Sequence, residues 1–292
     1  MGSRFSSEVS PTTRAIQRNL LYKWLLFLIL PLGFILTFYI YPITRMLLMS
    51  LFDPEFTLKH YVHFFESPAY LQVMFQTFKM ATSVTLICLA LGYPVAYLLV
   101  HVPPRTSNLL MMIVVLPFLT AILVRTYAWM VILGRNGVLN QILMQTGIIS
   151  SPVKMMHNLF GVHVGMVHVL LPFMILPLYS VMSAIRKDLL KAGESLGASP
   201  WRVFLHIFLP LSLPGVGGGC LLVFIISLGF YITPALLGGV SDVMISTFIA
   251  AQVNTLLNWG FASAISVILL AITLTLFYFY NRFFGVERIV GR

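Results

Sequence analysis

The sequence is poor in charged residues, which make up only 9% of its 292 positions. A soluble domain of this length carries roughly a quarter charged residues, and with so few it cannot cover a globule with polar surface in water. Hydrophobic residues make up 59% of the chain and the mean hydropathy is +0.95. The composition therefore excludes an ordinary soluble domain and favours a protein whose solvent is the lipid bilayer.

The sequence also lacks the residue patterns of disulfide-stabilised, nucleotide-binding, catalytic and metal-binding proteins. The chain has two cysteines, Cys88 and Cys220, each inside an apolar run, which predicts packed thiols and no disulfide framework. It contains no Gly-x-x-x-x-Gly-Lys-Ser/Thr segment that could hold the phosphates of ATP. We find no paired carboxylates, no Ser/His/Asp grouping and no convincing metal cluster. We therefore predict a non-enzyme with no catalytic residue, no metal site and no cofactor of its own.

Two further features have competing interpretations. His60 and His63 lie near several acids and could hold a metal, but the lack of another suitably spaced ligand favours a solvated loop. His163 and His168, inside one apolar run, are predicted to be hydrogen-bonded packing residues rather than a proton relay. The net charge of +10 is spread along the chain rather than clustered, which argues against nucleic acid as a partner.

Long apolar runs dominate the rest of the chain and predict an all-α fold, a polytopic membrane helix bundle of about six transmembrane helices. Each run is long enough to cross a bilayer with some tilt. Their predicted ranges are 22–48, 70–100, 109–133, 158–183, 207–235 and 261–284. The spacings Gly161-x-x-x-Gly165 and Gly215-x-x-x-Gly219 predict close helix contacts within the bundle.

The distribution of lysine and arginine predicts how the bundle is oriented. With the N-terminus in the cytoplasm, three of the 18 basic residues fall outside (Lys59, Arg135, Lys154) and three fall within spans (Arg45, Lys79, Arg125). The other twelve are cytoplasmic: Arg4, Arg14, Arg18, Lys23, Arg105, Arg186, Lys187, Lys191, Arg202, Arg282, Arg288 and Arg292.

This orientation divides the chain into three parts. We predict a cytoplasmic N-terminal segment over 1–23, a transmembrane domain over 24–284 and a cytoplasmic tail over 285–292. The largest cytoplasmic loop of the transmembrane domain spans 186–206.

The loop carries a distinct local pattern. Apolar residues from Leu189 to Leu196 recur at helical spacing. Gly197 fits the left-handed position that ends a helix, and Ser199 with Pro200 fits the start of the next one. The pattern predicts two helices joined by a tight turn. Such a helix either lies on the membrane surface or is docked by a partner protein.

The same loop resembles that of permeases of binding-protein-dependent ABC importers, which carry a Glu-Ala-Ala segment, a following Gly and an Ile-x-Leu-Pro ending. Here the matching residues are Lys191-Ala192-Gly193, then Gly197, then Ile207-Phe208-Leu209-Pro210. The resemblance implies the fold of a type I importer permease, located in the bacterial inner membrane. It also implies that the loop is the coupling helix that sits in a groove of the ATPase subunit.

The resemblance further implies the partners and the coupling residues. The partners would be an ATPase dimer that binds ATP and Mg²⁺, a second permease subunit, a periplasmic substrate-binding protein and membrane lipid. The implied coupling residues are Lys191, Ala192, Gly193, Glu194 and Gly197. Lys191 departs from the pattern, because the family has a glutamate there. Either the cognate ATPase supplies a compensating acid, or Glu194 supplies the missing carboxylate.

Several stretches from about Ala69 onward resemble polyamine (spermidine/putrescine) permeases. They are Leu91–Tyr97, Leu116–Phe118 with Arg125–Tyr127, Asn136–Asn140, Leu171–Phe173 with Pro177–Ser180, and Phe230–Pro234 with Leu237–Gly239. The resemblance implies a polyamine substrate and a second permease that is a related but different chain. Alternatives are an amino acid, an opine or an aminophosphonate carried by the same class of importer. A more distant alternative is an ion-coupled secondary transporter, against which the lack of acids in the spans argues.

Five residues are candidates for the substrate path: Arg125, Tyr127, Trp129, Phe230 and Tyr231. The aromatic rings could contact a cationic substrate through their faces, or could serve only in core packing or the interfacial belt. An arginine inside the membrane is costly and needs a partner. The possible partners of Arg125 are Asp242, helix-end carbonyls, an acid of a second subunit or an anionic group of the substrate. It could also act as a barrier to cations.

Overall fold

The computed structural model describes residues 27–52 and 55–284. Within these ranges the chain is helical and, apart from one isolated bridge between Phe52 and Phe56, contains no β-structure. The helices are α1 (Phe27–Met49), α2 (Lys59–Glu66), α3 (Pro68–His101), α4 (Pro104–Val115), α5 (Ile122–Leu133), α6 (Val138–Gln145), α7 (Leu159–Ser183), α8 (Lys187–Ser195), α9 (Pro200–Leu228), α10 (Ile232–Leu237), α11 (Ile245–Asn254) and α12 (Trp259–Phe284).

Five of these helices, α1, α3, α7, α9 and α12, are each long and apolar enough to cross a membrane. A bent pair of helices passes the same test when it is counted as one span, which gives up to six, so the all-α bundle of about six transmembrane helices is confirmed. The predicted segments 1–23 and 285–292 lie outside the described residues.

The third span is not the single helix that the apolar run 109–133 predicts. Helix α4 ends at Val115, a short 3-10 turn covers Leu116–Leu119, and α5 begins at Ile122. The segments Pro104–Leu119 and Ile122–Gln145 meet at a bend of 96°. Pro117 removes one backbone hydrogen-bond donor at this point, but Leu116 before it keeps a helical conformation, so the chain leaves the helix only after the 3-10 turn. Thr120 and Ala121 are extended.

The fifth span differs from the predicted range 207–235 at both ends. Helix α9 begins at Pro200 and ends at Leu228, and α10 begins only at Ile232. At its start, α9 includes a π-helical turn over Phe204–Phe208. The start at Pro200 is the helix start that Ser199 and Pro200 predict, and the apolar run begins later because the first turn of α9 contains Arg202.

The centre of the bundle is the packing of α3, α7 and α9. Met174 of α7 is fully buried there, and a Cβ added at Gly219 of α9 would lie 2.7 Å from its Sδ. A Cβ at Gly215 would lie 3.2 Å from the carbonyl oxygen of Pro177. Both glycines therefore let α9 approach the backbone of α7, as the Gly-x-x-x-Gly spacing predicts.

A smaller cluster lies at the end of the bundle away from the 186–206 loop, where α2, α11 and the start of α12 meet. The prediction that His60 and His63 lie in a loop is wrong, since both are on α2, although His63 is exposed as expected. His60 is buried beside Phe261, and His63 Nε2 lies 3.2 Å from the hydroxyl of Tyr70. Neither histidine belongs to a group of metal-ligating side chains within the described ranges.

Candidate functional site

Two interruptions of the membrane helices lie side by side. One separates α4 from α5, and the other separates α9 from α10. The hydroxyls of Thr126 on α5 and Thr233 on α10 are 3.3 Å apart and buried, which joins the two short helices. Because irregular backbone is tolerated in a membrane only where protein or a water-filled cavity surrounds it, this junction is a candidate functional site. The sequence did not reveal the Thr126–Thr233 contact.

Arg125 lies in the first turn of α5, beside this junction. Its Nε and Nη1 atoms are buried and have no hydrogen-bond partner among the described residues. Asp242, one of its predicted partners, instead accepts the backbone N–H of Gly239 with its Oδ2 at 3.1 Å. Buried donor atoms without a partner are unfavourable, so these two guanidinium nitrogens are suited to a group other than the described residues.

Trp129 lies one turn further along α5 and is fixed by α7. Its Nε1–H donates to Nδ1 of His168 at 3.1 Å, and the two rings pack edge to face at 5.5 Å. An indole N–H only donates, so Nδ1 of His168 is the acceptor and the ring proton of a neutral His168 lies on Nε2. His163 is also bonded, through Nε2 to Ser83 Oγ and through Nδ1 to the Leu159 carbonyl, each at 2.7 Å. The prediction of hydrogen-bonded packing histidines is therefore confirmed.

These side chains line a cavity of about 620 Å³ between α3, α5 and α7. Its other walls are apolar, and all its lining residues are Ile87, Leu91, Trp129, Phe160, His163, Val164, Val167 and His168. The cavity can accept an apolar or aromatic group. None of its lining residues is an aspartate or glutamate that could bind a cation.

The other path candidates lie in different surroundings. Phe230 is buried in the main hydrophobic core, and its carbonyl accepts the hydroxyl of Ser246 at 2.6 Å. Tyr127 is 55% exposed and Tyr231 is 44% exposed. Arg125 and Trp129 thus lie on one helix, next to the chain segment that carries Phe230 and Tyr231. The five candidate side chains do not line one common cavity.

The loop at the other end of the bundle has the predicted turn. Helix α8 ends at Ser195, and Gly197 has a φ of +86°. The backbone N–H of Gly197 donates to the Glu194 carbonyl at 2.9 Å and that of Ala198 to the Gly193 carbonyl at 3.1 Å, which is the Schellman arrangement. Ser199 is at the N-cap of the next helix, although its side chain makes no capping hydrogen bond.

One face of α8 is packed and the other is free. Gly193 is buried, and a Cβ there would lie 2.8 Å from Cδ1 of Ile207. Lys191, Ala192 and Glu194 are exposed, and Leu196 beyond the helix end is 89% exposed. The small residue at 193 lets α8 lie against the start of α9, while its free face offers apolar and charged groups to another surface.

Comparison with known proteins gives the following similarities. Residues 88–284 match the family described as "Binding-protein-dependent transport system inner membrane component". The chain is 35% identical over 274 residues to the Haemophilus influenzae protein named "Spermidine/putrescine transport system permease protein PotB", covering 90% of this chain and 91% of that protein. The Escherichia coli K12 protein of the same name is 37% identical over 214 residues, which is 73% of this chain and 78% of the relative.

The fold is similar to that of a solved chain from a bacterial alginate ABC transporter in complex with an alginate pentasaccharide-bound periplasmic protein. The TM-score is 0.73 at 19% identity, and the match covers 94% of this chain and 98% of the other. At this identity the likeness concerns the fold.

We predict that Gly197→Val loosens the loop, because a β-branched residue resists the left-handed conformation and the strain costs about 1–2 kcal/mol. Limited trypsin digestion of membranes should cut the basic 186–202 region several-fold faster than in the wild type. Gly197→Asn should remain close to the wild type, since asparagine tolerates this conformation.

A matched control separates this effect from strain in general. Gly147 also has a positive φ, +73°, but lies in the connection after α6. Gly147→Val should leave cleavage at 186–202 unchanged. Equal cleavage of Gly197→Val and the wild type would contradict the prediction.

Proposed function

The chain belongs to the binding-protein-dependent transport system inner membrane component family, and we propose that it is a permease subunit of an ATP-driven importer that carries a polyamine such as spermidine or putrescine. The observation that carries this proposal is the 35% identity to a spermidine/putrescine permease over 90% of the chain. As a permease it is a multi-pass inner-membrane protein and a non-catalytic subunit.

We infer the orientation from charge. The predicted topology places twelve basic residues on the side of the 186–206 loop and three on the opposite side, which favours a cytoplasmic loop. An even number of spans then leaves 1–23 and 285–292 both in the cytoplasm. The ATPase that drives transport would therefore bind on the cytoplasmic side.

The 186–206 loop is the part we assign to coupling. The free face of α8, with Lys191, Ala192 and Glu194 exposed, would sit in a groove of an ATPase dimer that binds ATP and Mg²⁺. Gly193 would hold α8 close to α9, and Gly197 would set the turn between them. Because Gly193 is packed on α9, a movement of the groove would be transmitted directly to a membrane helix.

The path itself would form between this chain and a second permease, which we expect to be a related but different chain. Among the described residues, the six spans contain no aspartate or glutamate, so the chain offers no membrane carboxylate to hold a polycation. Selection of the substrate would therefore lie mainly in a periplasmic binding protein. The path residues we propose are Arg125, Tyr127, Trp129, Phe230 and Tyr231, among which Arg125 would be the charged group of the path.

Uptake by the complete importer tests the function. The two permeases, the ATPase and the binding protein are reconstituted in liposomes with ATP on the cytoplasmic side, and uptake of labelled spermidine is measured. We expect accumulation that requires ATP and is inhibited by excess putrescine but not by an amino acid or an aminophosphonate. Competition by one of those other solutes alone would refute the polyamine assignment, and uptake without the ATPase would refute the importer itself.

We predict that Arg125→Ala lowers the uptake rate by roughly tenfold or more, because a hydrogen bond to a charged group contributes about 1.5–3 kcal/mol. The amount of permease in the membrane, measured by immunoblot, should stay near the wild-type level. Arg135→Ala is the control, since Arg135 is exposed in the connection after α5. Normal uptake by Arg125→Ala would refute a role in the path.

We predict that Lys191→Glu lowers substrate-stimulated ATP hydrolysis roughly two- to five-fold, the range set by an exposed ion pair. If Lys191 faces an acid of the ATPase groove, changing that acid to lysine should restore hydrolysis in the Lys191→Glu permease. Failure of every such charge swap would leave Glu194 as the carboxylate of the docking face, and Glu194→Gln should then reduce hydrolysis instead.

A further inference from the structure

A second cavity, of about 450 Å³, lies beside the 186–206 loop. Helices α3 and α9 form its walls, and every residue that lines it is aromatic or proline: Tyr93, Pro94, Tyr97, Pro200, Trp201 and Phe204. We refer to it as the aromatic pocket. Its composition sets it apart from the first cavity, half of whose lining residues are aliphatic and which also contains two histidines.

The rings of the aromatic pocket are arranged in two orientations. Trp201 stacks on Phe204, with ring centroids 5.6 Å apart and planes at 19°. Tyr93 and Tyr97, one helical turn apart, stand nearly perpendicular to Phe204, at 87° and 86°. Ring faces and edges therefore meet at right angles around the pocket, which is an arrangement that suits an organic ammonium group.

The position of the pocket defines which ammonium groups can reach it. Tyr97 is one turn before the end of α3 at His101, and Pro200 and Trp201 begin α9. Both helices are long and apolar enough to cross the membrane, and we place this shared end at the boundary between the acyl chains and the headgroups. Trp201 is 66% exposed, as expected of a tryptophan at that level.

The geometry points to a binding site for the amine headgroup of a zwitterionic phospholipid. Its ammonium would lie against the rings, with Trp201 as the strongest partner. Its phosphate would lie near Arg202, which follows Trp201 and is exposed. Its acyl chains would run along the exposed apolar face of α3, where Leu91 and Leu98 are each about half exposed.

The charge around the pocket favours this ligand over a polyamine. The adjoining loop carries four basic residues, Arg186, Lys187, Lys191 and Arg202, against the two acids Asp188 and Glu194. A polycation would be repelled by this surplus, whereas the phosphate of a lipid would be attracted. The site would brace the start of α9, including its π-helical turn at Phe204–Phe208, against α3.

Native mass spectrometry of the complete importer tests the assignment. The complex is released from nanodiscs made of equal amounts of phosphatidylethanolamine and phosphatidylglycerol, and the retained lipids are identified. We expect the wild type to retain phosphatidylethanolamine in preference to phosphatidylglycerol. Trp201→Leu should reduce this preference about two- to five-fold, the factor that a cation–π contact at an exposed site supplies. Trp201→Phe should keep most of it.

Phe75→Leu is the matched control, because Phe75 is a 70% exposed aromatic residue of the same helix α3, far from the pocket. It should leave the lipid preference unchanged. Equal retention by Trp201→Leu and the wild type would overturn the site. Displacement of the retained phosphatidylethanolamine by micromolar spermidine would overturn the lipid assignment in favour of a polyamine. A Trp201-dependent preference for phosphatidylglycerol would overturn the role of the ammonium.

Discussion

Inside the hydrocarbon layer there is no water to pair with a backbone N–H or C=O, so each of these groups needs a partner within the protein. Long uninterrupted helices meet this requirement by themselves, and α3 does so over 34 residues even though Pro94 lies within it. The two interruptions cannot meet it alone. They lie against each other, joined through Thr126 and Thr233, and the core formed by α3, α7 and α9 supports them.

The same requirement explains why the candidate residues concentrate at the junction. A helix that restarts in the membrane presents unpaired N–H groups at its first turn, and in α5 that turn also carries the guanidinium of Arg125. The N–H groups carry partial positive charge and the guanidinium a full one, and no aspartate or glutamate lies in the described spans to balance them. The junction is therefore electrostatically incomplete within this chain.

At the loop end, two glycines meet two different physical demands. Gly193 provides space, because a Cβ there would lie 2.8 Å from Cδ1 of Ile207 in α9 and the Ile207 side chain would have to shift. Gly197 is needed for conformation, because its φ of +86° is unfavourable for other residues while nothing lies within 4 Å of its missing Cβ. Together they form a short rigid elbow on a membrane helix. The aromatic pocket lies beside this elbow, so a lipid held there would contact α9, the same helix against which the loop packs.

Local signals in the sequence determined much of this protein. Hydropathy identified the membrane helices, and the Gly197–Pro200 pattern identified the turn, because both depend on residues that are neighbours in the chain. Contacts between distant segments decided the rest. The apolar run 109–133 gave no sign that the span would bend by 96°, since Pro117 by itself predicts no break when proline is also tolerated within α3, α7 and α9. Only the tertiary structure bonded Trp129 to His168 and buried Phe230 and His60, because burial depends on which helices meet, and no short stretch of sequence encodes that.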